Sequence, residues 1–268
     1  VLALFGNTTG HENVAMGQSA LGANTTGSEN TAVGHAALSN ATTANGNAAV
    51  GWRALLANTK GDGNTAIGTF ALRSNTTASS NTAIGRYAME QNVTGESNTA
   101  VGREALSFND SGSENTAIGY GAMVASDTGS FNTAVGRGAM FNTHAGNNNT
   151  AVGWMAMQQT TTGSANTALG RHALNVNTTG SNNVAIGVGA LDTATIAGFN
   201  TAVGPAALTE VTTGTDNIGI GFNAGLGLTT GSGNIYVGGL ASSGSEASTI
   251  RIGAGQTSRV DAVRLAVD

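Results

Sequence analysis

Asn98-Thr99-Ala100-Val101-Gly102-Arg103-Glu104-Ala105-Leu106-Ser107-Phe108-Asn109-Asp110-Ser111-Gly112-Ser113-Glu114 is one complete turn of a pattern that fills most of this chain. An asparagine opens the same phrase every seventeenth residue, from Asn13 and Asn30 to Asn217 and Asn234, fourteen times without an insertion or deletion. The phrase is most often N-T-A-V-G or N-T-A-I-G, and its glycines run at the same spacing from Gly17 to Gly238. A fixed period of this length marks a quasi-one-dimensional solenoid, in which each repeat packs only on its neighbours. No enzyme pocket needs fourteen copies of one phrase. The repeat therefore points to a structural or interaction protein.

Numbered from its asparagine, the unit reads N-T-A-V-G-x-x-A-L-x-x-N-T-T-G-S-x. Position four is always aliphatic or Met, from Met16, Val33 and Val50 to Ile220 and Val237. Position two is mostly Thr, with Val14, Val184, Ile218 and Ile235 among its replacements. Exchange among β-branched residues marks a strand, and alternation puts positions two and four on one face. Position three is mostly Ala, position eight is always Ala, and position nine is Leu or Met until Gly225 and Ser242. Read as strand neighbours, Ala and Leu point to opposite faces, so both faces are constrained, one to bulky groups and one to methyls. An ordinary half-exposed sheet shows polar variety on its second face.

The expected fold is an all-β solenoid, a parallel β-roll, with the bulky face as its interior and the Ala/Gly face packed on another copy of the chain. The opposite assignment, Ala inside and Val/Leu at a subunit contact, fits the same pattern. Both imply an oligomer. Gly at position five and Gly or Ala at position fifteen are expected to punctuate two short strands per unit, with Asn-Thr-Thr-Gly-Ser as a turn. Stacked asparagines at position one are expected to form a hydrogen-bonded ladder. At about 4.8 Å per rung, fourteen units make a rod of roughly 65–70 Å.

Composition agrees with thin layers of small side chains: 41 glycines, one proline, 9% charged and 4% aromatic residues in 268. Collagen would need glycine every third residue. A net charge of −5 gives no support to nucleic-acid binding or to attraction by anionic lipids. The absence of cysteine excludes disulfides and thiolate metal sites. No apolar run is long enough to span a bilayer as a helix. Val1-Leu2-Ala3-Leu4 already fits positions six to nine, so the chain is expected to be a segment of a longer protein, entering its array in mid-repeat. The array covers residues 1–242. Residues 243–268 form an atypical cap or a transition to another module, because Gly253 follows Gly238 by fifteen residues rather than seventeen. Arg251, Arg259 and Arg264 lie in this tail.

With these residues in view, N-T-A-V-G and N-T-A-I-G resemble the repeat of YadA-like heads in trimeric autotransporter adhesins. The seventeen-residue form, as in Asn98-Thr99-Ala100-Val101-Gly102 followed by Ala105-Leu106, is similar to the arrays of phage tail fibres, which often precede a C-terminal intramolecular chaperone of the endosialidase type. The resemblance covers about residues 1–242 and is specific through its repetition. It implies a left-handed parallel β-roll, three chains side by side as a homotrimer, an extracellular location on a cell surface or virion, and a role in attachment. YadA-like units are usually shorter, so the longer outer turn bears on the trimer cross-section.

Catalytic chemistry is not expected. His11, His35, His144 and His172 are scattered and form no metal-ligand spacing. No Walker-type loop and no recurrent Gly-Asp calcium repeat occurs. The carboxylates form no pair that the period would hold at glycosidase separation. Neither a metal nor a cofactor is expected. One column stands apart. Position six holds Trp52, Arg86, Arg103, Tyr120, Arg137, Trp154 and Arg171, and no acid. It reads either as a permissive exposed turn whose long side chains cover apolar surface, or as a ladder that contacts a glycan or protein receptor.

The leading functional expectation is an adhesive fibre segment that presents or forms a receptor-binding surface. The alternative is a tail-fibre shaft acting as a spacer. An ice-binding solenoid is a third class, suggested by pairs such as Thr25-Thr26, Thr161-Thr162 and Thr178-Thr179. Adjacent threonines in a turn make no flat face, which weighs against it.

Overall fold

The computed structural model describes residues 2–253. Fifteen strands, β1 (Val14–Met16) to β15 (Ile250–Ile252), each of three residues, pair in parallel in chain order to make one sheet. Register follows the repeat: Thr99 lies opposite Thr116, and Val101 opposite Ile118. No helix occurs among the described residues. The chain is an all-β parallel solenoid in which one seventeen-residue unit makes one turn.

Only one strand per unit forms, not two. Position eleven contributes no more than isolated bridges, Phe108 to Ala125 and Ala125 to Asn142. The remaining backbone runs through turns, yet it still bonds from rung to rung. Leu106 N donates to Ala122 O (2.9 Å), Phe108 N to Val124 O (2.9 Å) and Glu114 N to Glu96 O (3.0 Å). Buried donors thus find partners without regular strand geometry.

The interior is the reverse of the first expectation. Ala at position three is fully buried, as in Ala100, Ala117 and Ala134, while Ile67, Ile84, Ile118 and Leu169 at position four face outward. The alternation is as expected, but the sides are exchanged. Ala105 and Leu106 are not opposed either: both are fully buried. The reason lies in backbone conformation. Position nine is left-handed in rung after rung, at φ 49° for Leu106 and Leu21, so Ala and Leu leave a turn rather than a strand and both point inward. Leu or Met then fills the narrow space behind the strand, where only a methyl still fits. Burying a Leu gains about 1.5–3 kcal/mol, against roughly 1–2 kcal/mol for a left-handed non-glycine residue. Core filling wins at position nine.

Glycine at position five is fixed by two constraints at once. Gly68 has φ +135°, and a Cβ there would sit 2.5 Å from Gly85 O of the next rung. The expected asparagine ladder is present. Asn98 N donates to Asn81 Oδ1 (3.0 Å), Asn98 Nδ2 to Gly112 O (2.9 Å), and Asn115 N to Asn98 Oδ1 (2.9 Å). These amides are buried and carry the turn from strand to strand. A second ladder runs at position twelve, where Asn75 Nδ2 donates to Asn58 Oδ1 (3.0 Å), Asn92 to Asn75 (3.0 Å) and Asn109 to Asn92 (2.6 Å).

At the C-terminal end the core swaps sizes. In β13 (Ile218–Ile220) Gly219 replaces the usual Ala, and Gly225 replaces the usual Leu. The ring of Tyr236, in β14 (Ile235–Val237), takes the space and is fully buried. A Cβ on Gly225 would lie 2.8 Å from that ring. Tyr236 donates its hydroxyl proton to Glu246, which also accepts from Arg251 at 2.6 Å. Ile250 pairs with Ile235, so β15 continues the sheet beyond residue 242 across the shortened fifteen-residue connection. Arg259 and Arg264 lie outside the described residues.

Candidate functional site: an aromatic and cationic edge

The turn after each strand carries position six to one edge of the solenoid, immediately beyond the position-five glycine. All seven residues singled out there, Trp52, Arg86, Arg103, Tyr120, Arg137, Trp154 and Arg171, are exposed. They do not stand alone. Position seven is left-handed, at φ 60° for Phe70 and 61° for Tyr87, and lies alongside position six of the neighbouring rung. Trp52 packs on Phe70 with ring centroids 4.5 Å apart, and Phe70 stacks on Tyr87 at 5.5 Å and 10°. The Arg86 guanidinium lies 4.6 Å from the Tyr87 centroid and donates to its hydroxyl oxygen at 3.0 Å.

The middle of the edge is built around Tyr120, with the Arg103 and Arg137 guanidiniums each 5.6 Å from its ring centroid. Farther on, Arg171 lies 5.0 Å from Trp154, whose ring meets His172 edge-on at 5.3 Å. Arg103 is neutralised by Glu104 at 2.9 Å, whose hydrogen bond and charge raise its pKa above the usual arginine value. Arg86, Arg137 and Arg171 have no carboxylate partner among the described residues. The edge is a cationic, aromatic stripe on an acidic rod.

Phe70, Tyr87 and His172 belong to this edge and were missed by reading position six alone. In position seven these large side chains alternate irregularly with Ser19, Ala36 and three glycines, which hides them in the sequence. Phe141, Met155 and Gln158 also line the edge, flanking a surface groove between Tyr120 and Arg137; positions seven and ten carry no regular pattern that marks them.

A second feature is the outer face of the sheet, where positions two and four form parallel ranks of Thr and aliphatic side chains with no charged residue from β1 through β14. The threonine pairs are occupied differently. Thr25 Oγ1 donates to Thr42 O (2.8 Å), Thr161 Oγ1 to Thr178 O (2.9 Å) and Thr178 Oγ1 to Thr195 O (2.9 Å). Their first hydroxyls serve the stacking of rungs instead of an open face. No three His, Cys, Asp or Glu among the described residues come together to hold a metal ion, and no described helix is long and apolar enough to cross a membrane. Comparison with known proteins finds no matching family model, no similar curated protein and no similar solved structure.

Proposed function

We propose that this chain is an adhesive segment of an extracellular fibre, a side-by-side homotrimer of left-handed β-rolls on a cell surface or virion, that attaches through its aromatic and cationic edge and performs no chemistry. The observation that carries this reading is the edge itself. Arg53, Arg86, Arg137 and Arg171, which have no carboxylate partner among the described residues, lie among exposed Trp and Tyr rings, the residue types that dominate interface hot spots. A stiff backbone holds them at fixed spacing. The resemblance of the repeat to adhesin heads and tail-fibre arrays supports the fibre and the handedness. The uncharged outer sheet face supports association of chains: two ranks of side chains over fourteen rungs offer roughly 700 Å² per chain, shared in a trimer between two neighbours. Three copies of one edge turn weak contacts into useful avidity.

A spacer reading also has a specific observation behind it. The edge residues stack on one another, and such mutual cation–π contact covers apolar surface without any partner. Binding of the assembled protein to cells and to glycan arrays separates the two. Attachment predicts that Trp52→Ala with Trp154→Ala keeps the fold and loses binding. Undiminished binding by the correctly folded double variant would leave the spacer.

A further inference from the structure

Position seven carries glycine in three rungs, at Gly121, Gly138 and Gly189, and only the first two are consecutive. Position seven carries Phe70 and Tyr87 in earlier rungs and Met155 and His172 in later ones, but Gly121 and Gly138 in the two consecutive rungs between Glu104 and Met155. Two missing side chains open a groove of about 230 Å³ beside Tyr120 and Arg137, lined also by Phe141, Met155 and Gln158. These glycines are not required by crowding. A Cβ on Gly121 would meet only Val124 and Phe141 at 3.5–3.8 Å, and one on Gly138 only Met155 at 3.6 Å. Their φ values, +61° and +63°, match those of Phe70 and Tyr87, which carry full side chains at the same place in the unit.

We propose that this groove is a subsite for one carboxylated sugar ring of an acidic glycan, an inference that rests on the edge being the attachment surface. The lining supplies what such a ring needs. Phe141 offers partly exposed aromatic surface for the apolar C–H face of a pyranose, while the Tyr120 ring, already flanked by Arg103 and Arg137, forms a wall of the groove. Arg137 stands at the rim with no carboxylate partner among the described residues, and a guanidinium pairs with a carboxylate through two parallel hydrogen bonds. The Gln158 side-chain amide makes no hydrogen bond among the described residues and is free for a ring hydroxyl. One unpaired guanidinium matches a monoanion; the neighbouring Arg103 is already held by Glu104 at 2.9 Å. The volume is below the about 300 Å³ of the smallest drug-sized pockets and suits a single ring.

The test uses the whole chain in its native assembly, with Gly121→Tyr/Gly138→Phe to fill the groove and Arg137→Gln to remove the charge. Both fillings copy side chains that Tyr87 and Phe70 already place at position seven of earlier rungs, so the β-sheet circular dichroism should be unchanged. Binding is read on glycans containing uronic acids, on the same glycans with methyl-esterified carboxyls, and on acidic peptides. The parent should bind the free acids at least about tenfold more tightly than the esters, and each variant should lose that preference. Equal binding of acids and esters, variants that keep the preference, or binding to acidic peptides alone would overturn the proposal. Retained attachment that needs Trp52 and Trp154 but ignores the groove variants would overturn the subsite alone. A parent that binds neither glycans nor cells would overturn both the subsite and the attachment reading.

Discussion

Gly63 and Gly68 are five residues apart and separate the two costs a side chain can meet in this fold. Gly63 has φ +64° with nothing within 4 Å of a Cβ, whereas Gly68 has φ +135° and the Gly85 carbonyl oxygen 2.5 Å away. Gly63→Ala should therefore cost only the left-handed strain, about 1 kcal/mol, and lower the melting temperature slightly. Gly68→Ala should push one rung off the next and cost several times more. Thermal melts of the two variants check this, and equal losses would contradict it. The same logic explains which columns were legible. Position five is invariant because strain and crowding coincide there. Positions seven and seventeen are left-handed too, at 58° for both Glu104 and Glu114, but open space lets many residues occupy them, so their conformation leaves no mark on composition.

The position-twelve ladder shows what an element of this fold gains from repetition. Each Asn Nδ2 donates to the Asn Oδ1 one rung earlier, so the acceptor at the end of a run is orphaned. Asn24 Oδ1 and Asn109 Oδ1 have no partner because Ala41 and Ser126 occupy the next rungs. Ala41→Asn should join Asn24 to Asn58 and make one continuous ladder. It should raise stability by about 1 kcal/mol, the usual net value of a buried hydrogen bond. A melting temperature that falls would show that the site cannot take the larger amide. At the C-terminal end, Glu246 is pushed up by partial burial but held below its ordinary pKa by hydrogen bonds from Tyr236 and Arg251. A depressed carboxylate contributes stability above its unfolded value, about 4.3, and that contribution is lost as pH falls through the lower folded value. Amide exchange in β14 and β15 should therefore rise below about pH 4, before the central rungs respond. The position-one ladder was legible because its asparagine recurs without exception, and the strand phrase because Thr, Val and Ile recur at positions two and four with few replacements, such as Ala48, Met16 and Leu169. The inward face was not. Alternation alone cannot say which side of a strand is core, and the decision came from Leu106 and its equivalents, whose left-handed backbone turns a neighbouring column inward.

At the scale of the whole molecule, one unit per rung makes the solenoid tolerant of change by whole units only. Deleting residues 98–114 should shorten the rod by about 4.8 Å and leave the fold intact. Deleting sixteen residues should put every later side chain on the wrong face. Small-angle scattering and circular dichroism distinguish the outcomes, and equal tolerance would refute the rung assignment. Because Ala and Leu are buried within a single chain, the proposed association uses the outer sheet face, not the Ala face first expected. Its position-four column, including Ile84 and Ile118, is where chains should meet. The most direct test of the account is the mass of the purified protein in solution by light scattering at micromolar concentration. A homotrimer should show three times the 26.3 kDa of the chain, falling to one chain with unchanged β-sheet content in Ile84→Lys/Ile118→Lys. A stable single-chain mass for the parent would contradict it.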